Sequence, residues 1–362
     1  MPYRHLFTPL EIAGLRLPNR AVRPPLVLWK ATEEGLVTPD IVENYRRARG
    51  PGMVIVEASA VSPEGRLARN QIGIFDDRHV EGLSKIAAII HESGAAASIQ
   101  IHHAGRNTNS SNTFGLPLVA PSALAEKLDA PPRDIPIALD EREIDRILDC
   151  FAAAARRASE AGFDAVEIHG AHGYLGSQFL SPLANQSRDQ WGGSLENRAR
   201  FLREAHKRIR RACDGKILAS CRLGAADRAG GLTVDEGIQV ARWLAEDGMP
   251  YLHISTGIGD PPRLAPEGSP WSDRLLLGAR IREAVKIPVI GVGGIFTPEQ
   301  ADRALADGLV DLVAIGRGLL ADPQWVMKAS TGLEDTINLC HRCKVCHHFR
   351  RPERCPARTE AA

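Results

Sequence analysis

Two imidazoles and a phenol fall within six residues of one another at His169-x-x-His172-x-Tyr174. Two N–H donors converging on one carbonyl oxygen stabilise an enolate as its charge develops, and a phenol on the other side can deliver a proton. Zinc is the competing reading of a histidine pair, but no Asp, Glu or Cys stands beside it at helix spacing. A hydrogen-bonded loop histidine is the plainer reading of either one alone. Arg222 would favour negative charge on a bound ring or substrate, or else form a rim salt bridge. Gly291-Val292-Gly293-Gly294 and Gly316-Arg317-Gly318 are glycine-rich turns. Glycine lets backbone N–H groups approach phosphate oxygens, and Arg317 could add a bidentate contact. Ordinary tight turns are the alternative.

A second constellation lies at the C-terminus. Four of the seven cysteines crowd the last 23 residues, as Cys340-x2-Cys343-x2-Cys346-x8-Cys355-Pro356. Three cysteines at successive x2 spacings with a remote fourth before proline suit an iron–sulfur cluster of the 4Fe–4S type. Structural zinc more often uses two separated C-x2-C knuckles. A metal-free thiol tail is the third reading, and His341, His347 or His348 could replace a ligand in the zinc case. Cys150, Cys213 and Cys221 read as packing residues.

The elements that must position these groups alternate along the chain. Short, β-branched apolar runs at 21–27, 52–57, 96–101, 164–168, 217–222, 251–254, 287–292 and 311–315 read as strands buried on both faces. Amphipathic stretches near 39–49, 79–92, 141–161, 195–212, 234–247, 274–285, 298–307 and 322–330 read as helices. Thr233-x-x-Glu236 and Thr297-Pro298-Glu299-Gln300 have helix-start chemistry, and Thr38-Pro39 is a third such start. Gly162, Gly248 and Gly308 are candidate helix ends. Eight strand–helix units indicate an α/β fold, a (β/α)8 TIM barrel with a short Cys-rich tail; an open doubly wound sheet is the alternative. In the barrel, chemistry belongs at the C-terminal strand ends, which is where Gln100, His102, His103, Arg106, His169, His172, Arg222 and the glycine turns fall. The connection of about forty residues after Ile101 is long enough to be a lid or binding loop. Domain organisation reads as a barrel over 1–335 and a metal-binding tail over 336–362.

Composition sets the outer bounds. The 362 residues are 44% hydrophobic and 25% charged, the range of a globular protein. The formal charge is +1, so no overall field recruits nucleic acid or an anionic membrane. The last 23 residues hold six Lys/Arg and two Asp/Glu, a +4 appendix on a −3 body. That appendix could dock an acidic electron carrier or simply be solvated. No apolar run reaches the ~18–20 residues of a membrane helix, and the start lacks a signal-peptide core, so a cytoplasmic location is expected.

Taken together, the motifs resemble the Old Yellow Enzyme family of FMN-dependent, NAD(P)H-using ene-reductases over nearly residues 5–330. They include Leu6-Phe7-Thr8-Pro9-Leu10, Leu17-Pro18-Asn19-Arg20, Val56-Glu57-Ala58-Ser59-Ala60-Val61 and Gln100-Ile101-His102-His103-Ala104-Gly105-Arg106. His169-Gly170-Ala171-His172-Gly173-Tyr174-Leu175, Gly192-Gly193-Ser194-Leu195-Glu196-Asn197-Arg198, Gly293-Gly294-Ile295 and Gly316-Arg317 follow in order. The resemblance implies FMN across the barrel mouth. Pro25, Leu26 and Ala58 would line the isoalloxazine, Gln100 would bond its pyrimidine edge, and Arg222 would stand near its N1–C2 carbonyl region. Gly293, Gly294, Gly316 and Arg317 would hold the phosphate. His169 and His172 would grip the carbonyl of an activated alkene, Tyr174 would protonate its α-carbon, and Trp29 would shape the substrate pocket. The family commonly forms homo-oligomers. This sequence departs from relatives in having Val27 where many carry Cys or Thr, and in Pro24-Pro25.

A branch resembling dienoyl-CoA reductase and trimethylamine dehydrogenase carries a four-cysteine cluster after this barrel, with longer gaps between cysteines and further flavin domains. The alternative reading is therefore a dienoyl-CoA reductase-like or amine-oxidising enzyme exchanging electrons with an external partner. Asp260-Pro261 stands where that branch has a functional histidine.

Overall fold

The computed structural model describes residues 2–126, 131–349 and 354–359. Eight parallel strands close into a barrel: Ala21–Arg23, Met53–Ala60, Ala96–His102, Ala165–Gly170, Leu218–Gly224, Leu252–Ser255, Val289–Val292 and Leu312–Ala314. They pair in chain order, and strand eight closes on strand one through Val313 opposite Ala21. The expected (β/α)8 barrel is thus the observed one. Strand one is shorter than its apolar run because Pro24 and Pro25 have no N–H to give a ladder. Strand two runs three residues further than expected, and its register against strand three shifts between Val56 and Ser59. Such a bulge re-aims side chains near a site.

One end of the barrel is plugged. A hairpin of Leu10–Ile12 and Leu15–Leu17, absent from the sequence reading, turns through Ala13 and Gly14 in left-handed conformation. Its Ile12 and Leu17 pack with Val22, Met53, Tyr251 and Leu312 at the strand starts. The strand ends at the opposite mouth stay available for chemistry.

Thr233 and Thr297 form capping boxes, as their spacing predicts. A helix starts at Pro39 with Thr38 at its N-cap position, as expected, but the Thr38 hydroxyl makes no capping bond; it donates to the Lys30 carbonyl at 2.8 Å and fastens the strand-one loop. The helix expected over 322–330 is Trp325–Ser330, preceded by a short helix, Arg317–Ala321, that the sequence reading did not mark. Pro323 forces Asp322 into extended backbone between them, and its carboxylate accepts from Gln324 N and Lys328 Nζ. Among the described residues, no helix is long and apolar enough to cross a membrane.

Helix Val234–Glu246 lies so close to the strand-five loop that a Cβ on Gly237 would run into the Ala225 carbonyl oxygen. Alanine ordinarily stabilises a helix interior by ~0.5–1 kcal/mol over glycine. Gly237→Ala should instead lower the unfolding free energy by about 1–3 kcal/mol, because overpacking outweighs propensity; urea denaturation measures the sign.

Candidate active site

The loop after strand one is fastened to a buried carboxylate. Glu57, fully buried on strand two, accepts from the Leu28 N–H at 2.8 Å, and the Trp29 N–H also bonds it. Trp29 itself sits in left-handed backbone at φ 55. Burial pushes the Glu57 carboxyl up to about 7, opposed by these N–H groups, by Arg23 and by the Tyr45 hydroxyl. Arg23 in turn lies over the Tyr45 ring and bonds Asn44. This network holds the segment from Pro25, which is buried, through the half-buried Leu26 to Trp29. Ala58 lies in the strand-two bulge, its carbonyl accepting from Gln71 Nε2 at 2.8 Å.

Strands three to six carry polar groups inside the barrel. Gln100 and Glu167 are register partners, and Gln100 Nε2 donates to Glu167 Oε1 at 2.7 Å. The other Glu167 oxygen meets His253 Nδ1 at 2.8 Å. Arg222 lies between His169 and His253 in the sheet register. Burial lowers its guanidinium to about 10, Glu167 opposes this, and its Nε has no hydrogen-bond partner. Among the described residues it forms no rim salt bridge.

The strand-four loop brings its three residues together. The ring centroids of His169 and Tyr174 are 4.9 Å apart, those of His169 and His172 5.2 Å, and those of His172 and Tyr174 6.5 Å. His172 takes left-handed backbone at φ 59, and its N–H donates to Thr256 O. Its Nε2 lies 2.7 Å from Ser255 Oγ at the end of strand six. The Ala171 N–H donates to His169 Nδ1, so the His169 proton sits on Nε2. Gln178 clamps this loop to the strand-three loop by donating to Ala104 O and Gly173 O. Burial holds both imidazoles well below the usual histidine range, and neighbouring histidines and Arg222 add to the effect. Tyr174 is raised to about 12 by burial. At neutral pH the cluster is therefore two neutral imidazoles and an intact phenol. His102 completes it, with its ring 4.5 Å from Tyr174 and both nitrogens unpartnered.

Gly293 and Gly294 have φ of 114° and 77°, and a Cβ on Gly293 would press on Ser272 Oγ and Arg274. The backbone there is open to a ligand only because side chains are absent. A Cβ added at Gly316 would reach about 4 Å from Pro24 and Leu26, so the strand-eight turn faces the strand-one loop. Arg317 is exposed and lies over the Phe296 ring. These positions fit a flavin phosphate at the turns and a ring across Gln100 and Arg222. The buried, unpartnered Arg222 Nε is the specific sign that a polar ligand completes the mouth.

The tail folds back beside this edge. Arg342, like Arg317, lies over the Phe296 ring, and Arg358 donates to the Leu320 carbonyl. Burial raises the Cys346 thiol, and Cys340 and Cys355 raise it further, so both lie within electrostatic reach of Cys346. Cys343 is half-buried like them. Yet among the described residues no three histidines, cysteines or carboxylates are gathered tightly enough to hold a metal ion. The expected ligand set of Cys340, Cys343, Cys346 and Cys355 is not assembled, for either an iron–sulfur cluster or zinc. The ion itself supplies the free energy that closes such sites; here the tail is held by arginine contacts instead. Cys150 is only half-buried, unlike Cys213 and Cys221.

The segment after Ile101 includes a paired two-residue strand at Val119–Ala120 and Ile137–Ala138; residues 127–130 lie outside the described part. It walls a cleft of about 650 Å³ lined by Arg106, Asn109, Asn112, Glu126 and Asp134. Sequence reasoning gave no role to Glu57, Glu167 or Ser255. The signal was present for the two glutamates, each the one carboxylate in a largely apolar strand.

The family described as NADH:flavin oxidoreductase / NADH oxidase matches residues 5–336. An NADH oxidase of Thermoanaerobacter brockii is 40% identical over 350 residues, covering 95% of this chain and 53% of its own. The chain therefore spans about half the length of that relative. An NADPH dehydrogenase of Halalkalibacterium halodurans is 37% identical over 92% of this chain and 96% of its own length. Among solved structures, a 2-naphthoyl-CoA reductase in complex with 2-naphthoyl-CoA superposes with a TM-score of 0.87 at 28% identity. It covers 96% of this chain and 56% of that one.

Glu57 holds its proton up to about pH 7 in the folded chain, against an ordinary value of 4.5. The folded state therefore binds more protons between these values, and stability falls as pH rises through that window. Glu57→Gln removes the ionisation. Its unfolding free energy relative to wild type should rise by roughly 2–3 kcal/mol between pH 5 and pH 8, measured by urea denaturation at both.

Proposed function

We propose that this chain, which belongs to the NADH:flavin oxidoreductase / NADH oxidase family, the Old Yellow Enzyme family, is an FMN-dependent oxidoreductase. In this reading it takes reducing equivalents from NADH or NADPH and reduces the C=C bond of α,β-unsaturated carbonyl compounds. The observation that carries the reading is the convergence of His169, His172 and Tyr174 beside a buried, unpartnered Arg222. Pro25, Leu26 and Ala58 would line the flavin ring, Gln100 and Arg222 would bond its pyrimidine end, and Gly293, Gly294, Gly316 and Arg317 would hold its phosphate. FMN, when bound, supplies the hydride acceptor and donor that the side chains lack.

The chain's own residues do the rest. His169 offers Nε2–H because its Nδ1 already accepts the Ala171 N–H. With Ser255 donating to His172 Nε2, His172 offers Nδ1–H. Both are neutral, so each remains a donor to the substrate carbonyl oxygen without a proton to lose at neutral pH. They stabilise charge on that oxygen most strongly as an enolate forms. Tyr174, still protonated at neutral pH, gives its proton to the α-carbon. Trp29, held in strained backbone by Glu57, would border the alkene.

Tyr174→Phe should slow reduction of an enone by ~10²–10⁴-fold, while reduction of the enzyme by NAD(P)H stays near wild type. His169→Ala/His172→Ala should weaken binding of a phenolic or enone ligand. A chain with all four tail cysteines changed to Ser should keep enone turnover; rapid-mixing kinetics of the two half-reactions measures all three. Wild-type rates in Tyr174→Phe and the double histidine variant contradict the reading.

A further inference from the structure

Glu167 has no part in the reaction described above, yet it is the hub of the polar groups beneath the mouth. Gln100, Glu167 and His253 are all buried to within 1%. An ionised carboxylate only accepts hydrogen bonds. Gln100 must therefore turn its NH2 toward Glu167 Oε1, at 2.7 Å, and His253 must carry its proton on Nδ1, 2.8 Å from Oε2. A reversed Gln100 amide would set two oxygens against each other in a buried site. The Gln100 carbonyl oxygen is thereby fixed as the end that faces away from the carboxylate. On the neighbouring strand, Arg222 is opposite His253, and the Glu167 charge opposes the effect of burial on its guanidinium.

A carboxylate in a barrel interior costs several kcal/mol of desolvation that an apolar residue would not. Packing alone does not account for it, whereas direction and charge do. We infer that Glu167 is a positioning residue for the flavin ring: it fixes Gln100 as an acceptor toward a ring imide N–H and balances the Arg222 charge at the ring's carbonyl end. It thereby sets how strongly the site prefers the reduced, electron-rich ring. His253 completes the arrangement by occupying the second carboxylate oxygen. The inference rests on the proposed placement of the ring against Gln100 and Arg222.

Two variants separate the two effects. Glu167→Gln keeps the shape and an acceptor oxygen but removes the charge, leaving Arg222 unbalanced. In the holoprotein it should favour binding of reduced over oxidised FMN about tenfold more than wild type does, a rise of about 30 mV in two-electron potential. Glu167→Leu removes the acceptor and frees the Gln100 amide to turn. Its dissociation constant for FMN, read by fluorescence on titrating the apoprotein, should rise at least tenfold. Adding Gln100→Ala should then cost less than twofold more. An unchanged potential in Glu167→Gln overturns the inference, and so does an FMN affinity within twofold of wild type in a folded Glu167→Leu. If circular dichroism shows that Glu167→Leu does not fold, the Glu167→Gln potential decides alone. Failure of the wild type to take up FMN overturns the cofactor assignment and this inference together, whereas FMN uptake with an unchanged Glu167→Gln potential overturns this inference only.

Discussion

A guanidinium inside a closed barrel needs an opposite charge and a ligand, and much of this mouth is arranged around that requirement. Arg222 is buried on strand five with one nitrogen unpartnered. Glu167 on strand four supplies the opposing charge, and is itself satisfied by Gln100 from strand three and His253 from strand six. Four consecutive strands are thus committed to one polar unit. The parallel register makes this possible, because it sets Gln100 opposite Glu167 and Arg222 opposite both His169 and His253.

The same field shapes the reacting groups. His169 and His172 lie among Arg222, His253 and each other, so burial and positive charge both disfavour a proton. Neutral imidazoles with defined tautomers are suited to polarising a carbonyl without competing as acids. Tyr174 is buried in the same place and keeps its proton. On the opposite side, Glu57 fastens the Leu28–Trp29 backbone from below through two N–H groups. One buried carboxylate thus organises each side of the mouth, Glu57 under the strand-one loop and Glu167 under strands three to six.

Strand count and site order were legible because both follow from periodicity and position. The apolar runs marked all eight strands, and the polar residues after them marked the mouth. The hairpin plug was not legible, since three-residue strands leave little pattern. Thr38-Pro39 marked a helix start correctly, but not that the Thr38 hydroxyl is aimed at the Lys30 carbonyl rather than at the helix N–H groups. Tertiary hydrogen bonding hid the roles of Glu57 and Glu167, whose partners stand 29 and 67 residues away. Cysteine spacing indicated a metal site, but spacing cannot report whether thiols converge; among the described residues no closed ligand set is seen, and arginine contacts to Phe296 and Leu320 hold the tail.

The central claim is that His169, His172 and Tyr174 complete a reduction of an activated alkene. The most direct measurement is a single turnover in D2O under anaerobic conditions, with NAD(P)H-reduced holoprotein and a cyclic enone. The account predicts one saturated ketone per bound FMN, with solvent deuterium at the α-carbon. Unchanged enone, with the flavin reoxidised only when oxygen is admitted, would contradict it.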